Sequence, residues 1–313
     1  RGVTSAGEGA WIISSAIVVG DDYKLPFVEH FTGGSIDNRF WEAGANGNIS
    51  YRLNPASGYD GQPGHASFDP KSSGAESKLV TGKISIKDMK NPMLTYWYYA
   101  VPGASTVMEV YAQAPDSVST VVATTDFKGL NGDAGWRMGC ADLSGLVSLK
   151  YIRLGFRTVS GDDAIGSKLD EVTVRQGVEK NLALVMNSAR KMEVDKASEV
   201  VLSVLNTGTA DFAVGSYRIN MYKNGEPAGS IDGPALGSGK TAEVLIPVTP
   251  DIFDGDAVVL KAALEAEGDM NPEDDCTVEK TVAVRQNKYP MPQNLTGSLN
   301  GSDEVSLSWS APD

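Results

Sequence analysis

Glu29 and Asp170 stand about 140 residues apart in the chain, the first in Leu25-Pro26-Phe27-Val28-Glu29-His30-Phe31 and the second in Lys168-Leu169-Asp170-Glu171-Val172-Thr173-Val174. The two segments read as the opening and closing strands of one β-domain. In a two-sheet sandwich the first and last strands can lie side by side, so the two carboxylates could meet. Carboxylates on those strands, with backbone carbonyls from the intervening loops, have the chemistry of a hard-cation site, which takes roughly six to eight oxygens. Both residues also read as ordinary sheet-edge carboxylates. Asp69, Asp162 and Asp163 are weaker metal candidates and read as solvated loop residues.

The second group able to do chemistry is Tyr96-Trp97-Tyr98-Tyr99. Strand alternation sends Tyr96 and Tyr98 to one face and Trp97 and Tyr99 to the other. One pair belongs to a core. The opposite pair either packs as well or forms a stacking platform for sugar rings. Trp41 and Trp136 read as core residues. Catalytic constellations are poor. With only two histidines, a Ser-His-Asp or Cys-His arrangement has to use His30, which alternates within a strand, or His65, which sits at the Gly61-Gln62-Pro63-Gly64 turn. Zinc spacing such as Cys-x-x-Cys or His-Glu-x-x-His is absent from the sequence. The 40 Asp and Glu residues leave paired carboxylates for glycoside hydrolysis open, but no local context singles out a pair. The acidic run Asp269 to Asp275 lacks the Asp/Asn alternation and central Gly of an EF-hand and reads as a solvated loop.

Positioning such residues needs a scaffold, and the composition points to an all-β one. A chain of 313 residues is too long for a single ordinary sandwich. Its 34 Gly and 15 Pro punctuate short apolar runs. A net charge of −13 argues against a nucleic-acid or anionic-membrane partner, because affinity for phosphate needs clustered Lys and Arg. The most apolar stretch, Trp11 to Val19, is far short of the roughly 20 residues that span a bilayer. The start at Arg1, without a signal-peptide pattern, reads as part of a longer or processed protein. Cys140 and Cys276 are expected in different modules, unpaired, as small buried hydrophobes.

Strand-like runs recur at Ile12–Val19, Ile49–Leu53, Lys78–Ile86, Met93–Val101, Thr106–Gln113 and Val118–Thr125. A second series follows Gln176-Gly177, at Asn181–Met186, Glu199–Leu205, Ser216–Tyr222, Thr241–Val248, Ala257–Ala266 and Cys276–Val284. Such spacing marks sandwiches. No helix longer than about two turns is expected from the periodicity. Asn224-Gly225 is a type I′ hairpin signal, since both central residues take positive φ. Asn287-Lys288-Tyr289-Pro290-Met291-Pro292 describes an extended linker, and the two strands expected beyond it are too few to bury a core.

Three resemblances fit this division. Residues 24–175 resemble the cleaved-adhesin, MAM-like jelly roll of bacterial surface proteins. The matching residues are Pro26-Phe27-Val28-Glu29-His30-Phe31, Trp41, Ser77-Lys78-Leu79-Val80-Thr81, Leu94-Thr95-Tyr96-Trp97, Gly135-Trp136, Tyr151-Ile152-Arg153-Leu154-Gly155-Phe156 and Leu169-Asp170-Glu171-Val172. Residues 199–285 resemble the CARDB domain through Asn206-Thr207-Gly208-Thr209-Ala210, Tyr222-Lys223-Asn224-Gly225 and Leu236-Gly237-Ser238-Gly239-Lys240. Tyr289-Pro290-Met291-Pro292-Gln293-Asn294-Leu295 with Val305-Ser306-Leu307-Ser308-Trp309-Ser310-Ala311-Pro312 resembles the first strands of a fibronectin type III domain, and Val3 to Trp11 with Ser14 to Gly20 resembles the last strands of another. The resulting division is residues 1–20, 21–176 (jelly roll), 177–286 (immunoglobulin-like sandwich) and 287–313, with partial fibronectin type III strands at both ends.

The jelly-roll resemblance implies a structural calcium on Glu29 and Asp170. Together the resemblances imply a non-enzymatic binding or adhesion segment of a secreted or cell-surface bacterial protein. Its jelly roll would present the ligand face, its other sandwiches would act as spacers, and its partner would be a host or matrix protein or a glycan, besides other modules of the same polypeptide. Two alternatives stand beside that expectation: an accessory carbohydrate- or substrate-binding region of a larger secreted peptidase or glycosidase, and a spacer without a ligand. The terminal partial modules are expected to lie on a neighbouring module or on one another.

Overall fold

The computed structural model describes residues 26–33, 35–44, 49–51, 58–87, 89–188, 191–285, 293–301 and 304–310. The expected strand Ile12–Val19 and the fibronectin-like segment 1–20 lie outside the described residues. Within them the fold is all-β, two sandwiches and a hairpin, and the only helical elements described are four 3-10 turns of three residues each.

The first sandwich is built from β1 (Phe27–Glu29), β2 (Glu42–Ala43), β3 (Ile49–Tyr51), β4 (Ala66–Phe68), β5 (Glu76–Val80), β6 (Pro92–Ala100), β7 (Val107–Gln113), β8 (Ser119–Asp126), β9 (Gly135–Asp142), β10 (Arg153–Val159) and β11 (Ser167–Gln176). One sheet runs β3-β4-β11-β6-β9 with β1 also on β11; the other runs β2-β5-β10-β7-β8. As the sequence suggested, the first and last strands lie side by side, Glu29 opposite Val172. Along a single edge β11 serves two partners, β4 through Ser167–Leu169 and β1 through Val172–Val174. The change of partner falls at a bulge between Asp170 and Thr173, where Glu171 takes φ +49°. Such a bulge bends a strand and re-aims its side chains.

Alternation fills the space between these sheets. Tyr96 and Tyr98 point inward and pack with Phe156 and Phe127, while Trp41 is surrounded by Phe27, Phe31, Phe40 and Phe156. The expected run Lys78–Ile86 is shorter as a strand, since β5 ends at Val80. There the Thr81 hydroxyl takes over from the ladder, accepting from the Leu154 N–H at 2.8 Å and donating to the Gly82 carbonyl at 2.8 Å.

The second sandwich contains β12 (Leu182–Ser188), β13 (Met192–Glu193), β14 (Ser198–Asn206), β15 (Tyr217–Lys223), β16 (Glu226–Asp232), β17 (Thr241–Val248), β18 (Ala257–Ala266) and β19 (Lys280–Arg285). Its sheets are β12-β14-β17 and β13-β19-β18-β15-β16, an immunoglobulin-like arrangement. The β15–β16 hairpin turns at Asn224 (φ +53°) and Gly225 (φ +86°), as the type I′ signal requires. The expected strand from Cys276 begins only at Lys280. Thr277 substitutes its hydroxyl for a ladder acceptor, taking the Ala262 N–H at 2.9 Å. Cys276 is therefore exposed, contrary to the buried hydrophobe expected, whereas Cys140 is buried; both thiols are free.

β20 (Gln293–Asn300) and β21 (Glu304–Ser310) form a two-stranded sheet of their own. Leu295, Leu299, Val305, Leu307 and Trp309 on it are exposed, as two strands cannot bury a core.

The second sandwich docks on the open edge and outer face of β9. Met138 and Cys140 pack against Ala183, Val185 and Leu205. Gly239 (φ +65°) brings its backbone so close that a Cβ would fall 2.2 Å from the Asp142 nitrogen, so this turn needs glycine on both counts. The adjacent Ser238 hydroxyl donates to Asp142 Oδ2 at 2.7 Å. Arg137 is buried and donates to Glu243 Oε1 at 2.6 Å and to the Asn131 carbonyl at 2.5 Å. Removing one member of a buried pair leaves an uncompensated charge, at a cost of about 3–5 kcal/mol. Glu243→Ala is expected to lower the stability of the whole segment by about 3 kcal/mol; Glu243→Gln, which keeps an acceptor, should cost less. Urea denaturation of both variants checks this, and an unchanged midpoint for Glu243→Ala would contradict it.

Candidate ligand groove and metal sites

Asp170 is fully buried on the central strand of its sheet. The bulge removes the Glu171 N–H from the ladder, and Asp170 Oδ1 accepts it at 2.9 Å. Its other oxygen, Oδ2, accepts the Tyr59 N–H at 2.8 Å. Burial outweighs these two bonds and pushes the Asp170 carboxyl up to about 6. The other charges acting on it are Glu171 and His30, which form a surface pair at 2.6 Å. A Cβ at Gly58 would fall within 2.7 Å of Asp170 Oδ2, the Gly64 carbonyl and the Gln62 carbonyl, so this loop accepts only glycine and turns three oxygens toward one point.

Glu29 is held separately. Its Oε1 accepts the N–H of Phe31, a residue in the left-handed region at φ +50°, at 2.8 Å; its Oε2 accepts the Trp41 indole N–H at 2.9 Å. Glu29 and Asp170 thus lie on paired strands, two positions out of register, each engaged by its own donors. Their donor chemistry, all oxygen, fits a hard cation. The weaker candidates hold loops in place: Asp69 accepts from Ser67, Asp162 from Ser73, and Asp163 from the Ser105 and Ile165 backbones.

By fixing the Tyr59 backbone, Asp170 also sets the Tyr59 ring. That ring stacks on Trp97, the neighbour of Asp170 across the β11–β6 ladder, with centroids 3.5 Å apart and planes 15° apart. Trp97 lies on the outer face, as alternation required, and is half-buried. Trp136, expected in the core, also lies half-buried on this face, because β9 presents Trp136, Met138 and Cys140 outward. Together Tyr59, Trp97, Trp136 and Met138 form one wall of a groove of about 470 Å³. The opposite wall comes from the second sandwich: Ala183, Leu184, Val185 and Met186 of β12, then Glu273, Asp274, Cys276, Thr277, Val278, Glu279 and Lys280.

Of the two aromatic ligand candidates, only Trp97 lines this groove. Tyr99 stands edge-on behind Trp136 at 5.8 Å, with the Lys168 ammonium 4.6 Å over its ring. Tyr59 and the second-sandwich wall had no sequence signal as site residues. Their contact with Trp97 depends on a loop tied down 111 residues away and on how two sandwiches dock. His30 is exposed, and His65 is buried edge-on to Trp136.

No protein-family model matches the sequence, and no characterised protein matches it in sequence. Among solved structures, a cleaved adhesin domain of Lys-gingipain from Porphyromonas gingivalis is similar at 20% identity and a TM-score of 0.38, covering 48% of this chain and 98% of that one. The CARDB domain of a Pyrococcus furiosus protein, solved with di-metal ions, is similar at 19% identity and a TM-score of 0.30, covering 35% of this chain and 92% of that one. A CBM22 xylan-binding domain from Paenibacillus barcinonensis is similar at 14% identity and a TM-score of 0.33, covering 48% and 92%. No residue's role passes from these proteins to this chain.

The raised Asp170 carboxyl has a pH signature in metal-free protein. An acid whose folded pKa exceeds its unfolded value stabilises the fold when protonated, and that contribution is lost as pH rises from about 4 to about 6. The loss is at most about 3 kcal/mol for a two-unit shift. With a chelator present, stability relative to Asp170→Asn should therefore move in favour of the variant across that window. Urea denaturation at intervals from pH 4 to 7 tests this, and parallel profiles would show that Asp170 does not titrate there.

Proposed function

We propose that the chain is a non-catalytic binding segment of a secreted or cell-surface protein, and that its ligand is a neutral glycan held in the groove between the two sandwiches. The observation that carries this reading is the aromatic wall. Tyr59 stacked on Trp97, with Trp136 beside them, presents ring surface opposite the carboxylates of Glu273 and Glu279 and the ammonium of Lys280. Sugar rings offer an apolar C–H face to stack on aromatics and hydroxyls that bond to charged groups, so one such wall of each kind suits them. The chain's net charge of −13 disfavours the phosphate-bearing ligands that also stack on aromatics. The second sandwich then contributes half of the site rather than serving as a spacer alone.

This reading is in keeping with the sequence resemblances to a cleaved-adhesin jelly roll, a CARDB-like domain and flanking fibronectin type III strands. It includes a structural calcium in the jelly roll, with Asp170 and the carbonyls of the Gly58–Gly64 loop as its ligands; Glu29, which pairs with Val172 on the core face of the same sheet, stays outside that site. Calcium there would neutralise Asp170 where burial now disfavours its charge, and would stiffen the loop that carries Tyr59.

Two experiments test the reading. Screening the chain against a panel of soluble oligosaccharides should find a binder whose affinity falls at least about tenfold, about 1.4 kcal/mol, in Trp97→Ala and Tyr59→Ala and changes little in Tyr99→Ala. Absence of any binder, or equal loss at Tyr99, sinks the groove as a glycan site. For the metal, calcium should raise the melting temperature of the wild type more than that of Asp170→Asn, because an ion that binds only the folded state stabilises it. Equal shifts would remove Asp170 from the site.

A further inference from the structure

The acidic run between β18 and β19 reads from the sequence as a solvated loop, but its carboxylates are gathered rather than spread. One oxygen each from Asp269, Asp274 and Asp275 lies within 4.8 Å of the others. The loop is pinned in that shape. Asp269 accepts the Leu182 N–H at 2.8 Å and the Asn271 N–H at 2.9 Å, and the backbone N–H of Leu184 reaches the Asp274 carbonyl at 2.9 Å.

Asn181 is the independent observation. It precedes β12, is 2% exposed, and aims its side chain at the cluster, with Nδ2 donating to Asp274 Oδ2 at 3.0 Å and to the Thr207 hydroxyl at 2.5 Å. Its Oδ1 is shut away from solvent and accepts no hydrogen bond. Asp274 Oδ1 and Asp275 Oδ1 are in the same condition. All three orphaned atoms are acceptors, and the charges acting on Asp275 are those of Asp269 and Asp274, both negative. Buried acceptors are ordinarily satisfied, and buried charges are paired or coordinate a metal. A bridging water could donate to two of these atoms but would leave the negative charge in place.

We propose that Asp269, Asp274 and Asp275, with the Asn181 amide turned over so that its unsatisfied Oδ1 replaces Nδ2 beside Asp274, form a binding site for a hard divalent cation, distinct from Asp170. The donors are all oxygen, which selects calcium or magnesium over thiophilic metals, and water completes the shell. Calcium binds more tightly than magnesium, because an irregular set of loop carboxylates and an amide suits its flexible coordination better than a strict octahedron. The ion joins the entry to β12 to the loop before β19. Asp274 and its neighbour Glu273 line the ligand groove, so the ion also fixes part of that groove's polar wall. The site does not depend on what the groove binds.

The test uses the whole chain carrying Asp170→Asn, which takes the jelly-roll carboxylate out of account, titrated calorimetrically with calcium chloride and separately with magnesium chloride. One calcium per chain is expected, with a rise in melting temperature of about 5 °C at saturation. Adding Asp275→Asn should abolish that rise and weaken calcium at least tenfold. With chelator it should raise the melting temperature of the same protein, since one of three crowded charges is gone. In the wild-type background Asp275→Asn should lower the calcium stoichiometry by one. Absence of calcium and magnesium binding at about 10 mM, roughly tenfold above the dissociation constant of the weakest extracellular calcium sites, overturns the proposal, and so does binding that Asp275→Asn leaves unchanged.

Discussion

Asp170 carries a carboxylate with no solvent exposure on the central strand of its sheet, and the position of the ligand groove follows from the two N–H groups that it accepts. One belongs to Glu171, released from the ladder by the bulge; the other belongs to Tyr59, at the head of a separate loop. Charge-assisted bonds of this kind contribute about 1.5–3 kcal/mol each, whereas desolvating a carboxylate costs several kcal/mol. Burial outweighs the two bonds and pushes the carboxyl up to about 6. A group retained at such cost is explained by what it positions. Here that is the change of partner along β11, from β4 to β1, and the stack of Tyr59 on Trp97.

The docking of the second sandwich turns this local arrangement into a groove. β9 is an open edge, and the second sandwich covers it with apolar contacts at Cys140 and Leu205, a glycine turn that touches backbone, and the buried Arg137–Glu243 pair. Burial pushes the Cys140 thiol up to about 12, so it acts as a small hydrophobe in this interface. Past the covered part of the sheet, Trp97 and Trp136 stay half-buried and face β12 and the loop before β19 across a gap. An exposed aromatic face on one sandwich thereby becomes one side of a two-walled site, and the polar half comes from residues 273–280.

The two carboxylate sites illustrate opposite ways of handling buried negative charge. In the first sandwich Asp170 and Glu29 have N–H donors on both oxygens. In the second, Asp274 and Asp275 each keep an oxygen without any donor, beside an amide oxygen in the same state. Every oxygen of the former group meets an N–H donor, whereas the latter leaves acceptors on three side chains unsatisfied. Thr81 and Thr277 make a related substitution in neutral form, each lending a hydroxyl where a strand leaves its ladder.

The amino-acid sequence by itself determined the β class, most strand positions, the turn at Asn224-Gly225, and the inward and outward faces of Tyr96 to Tyr99. Each of these is a local property, read from the two-residue period of a strand or from the φ values that a turn demands. It also placed Glu29 and Asp170 on adjoining strands, because a jelly roll that opens and closes with those segments pairs them. Only the tertiary structure decided that Trp136 faces outward, that Tyr59 lies on Trp97, and that Asn181 meets Asp274 from 93 positions away. Those contacts depend on a bulge that redirects one strand and on the docking of one sandwich against the edge of another, and neither leaves a periodic trace in the chain.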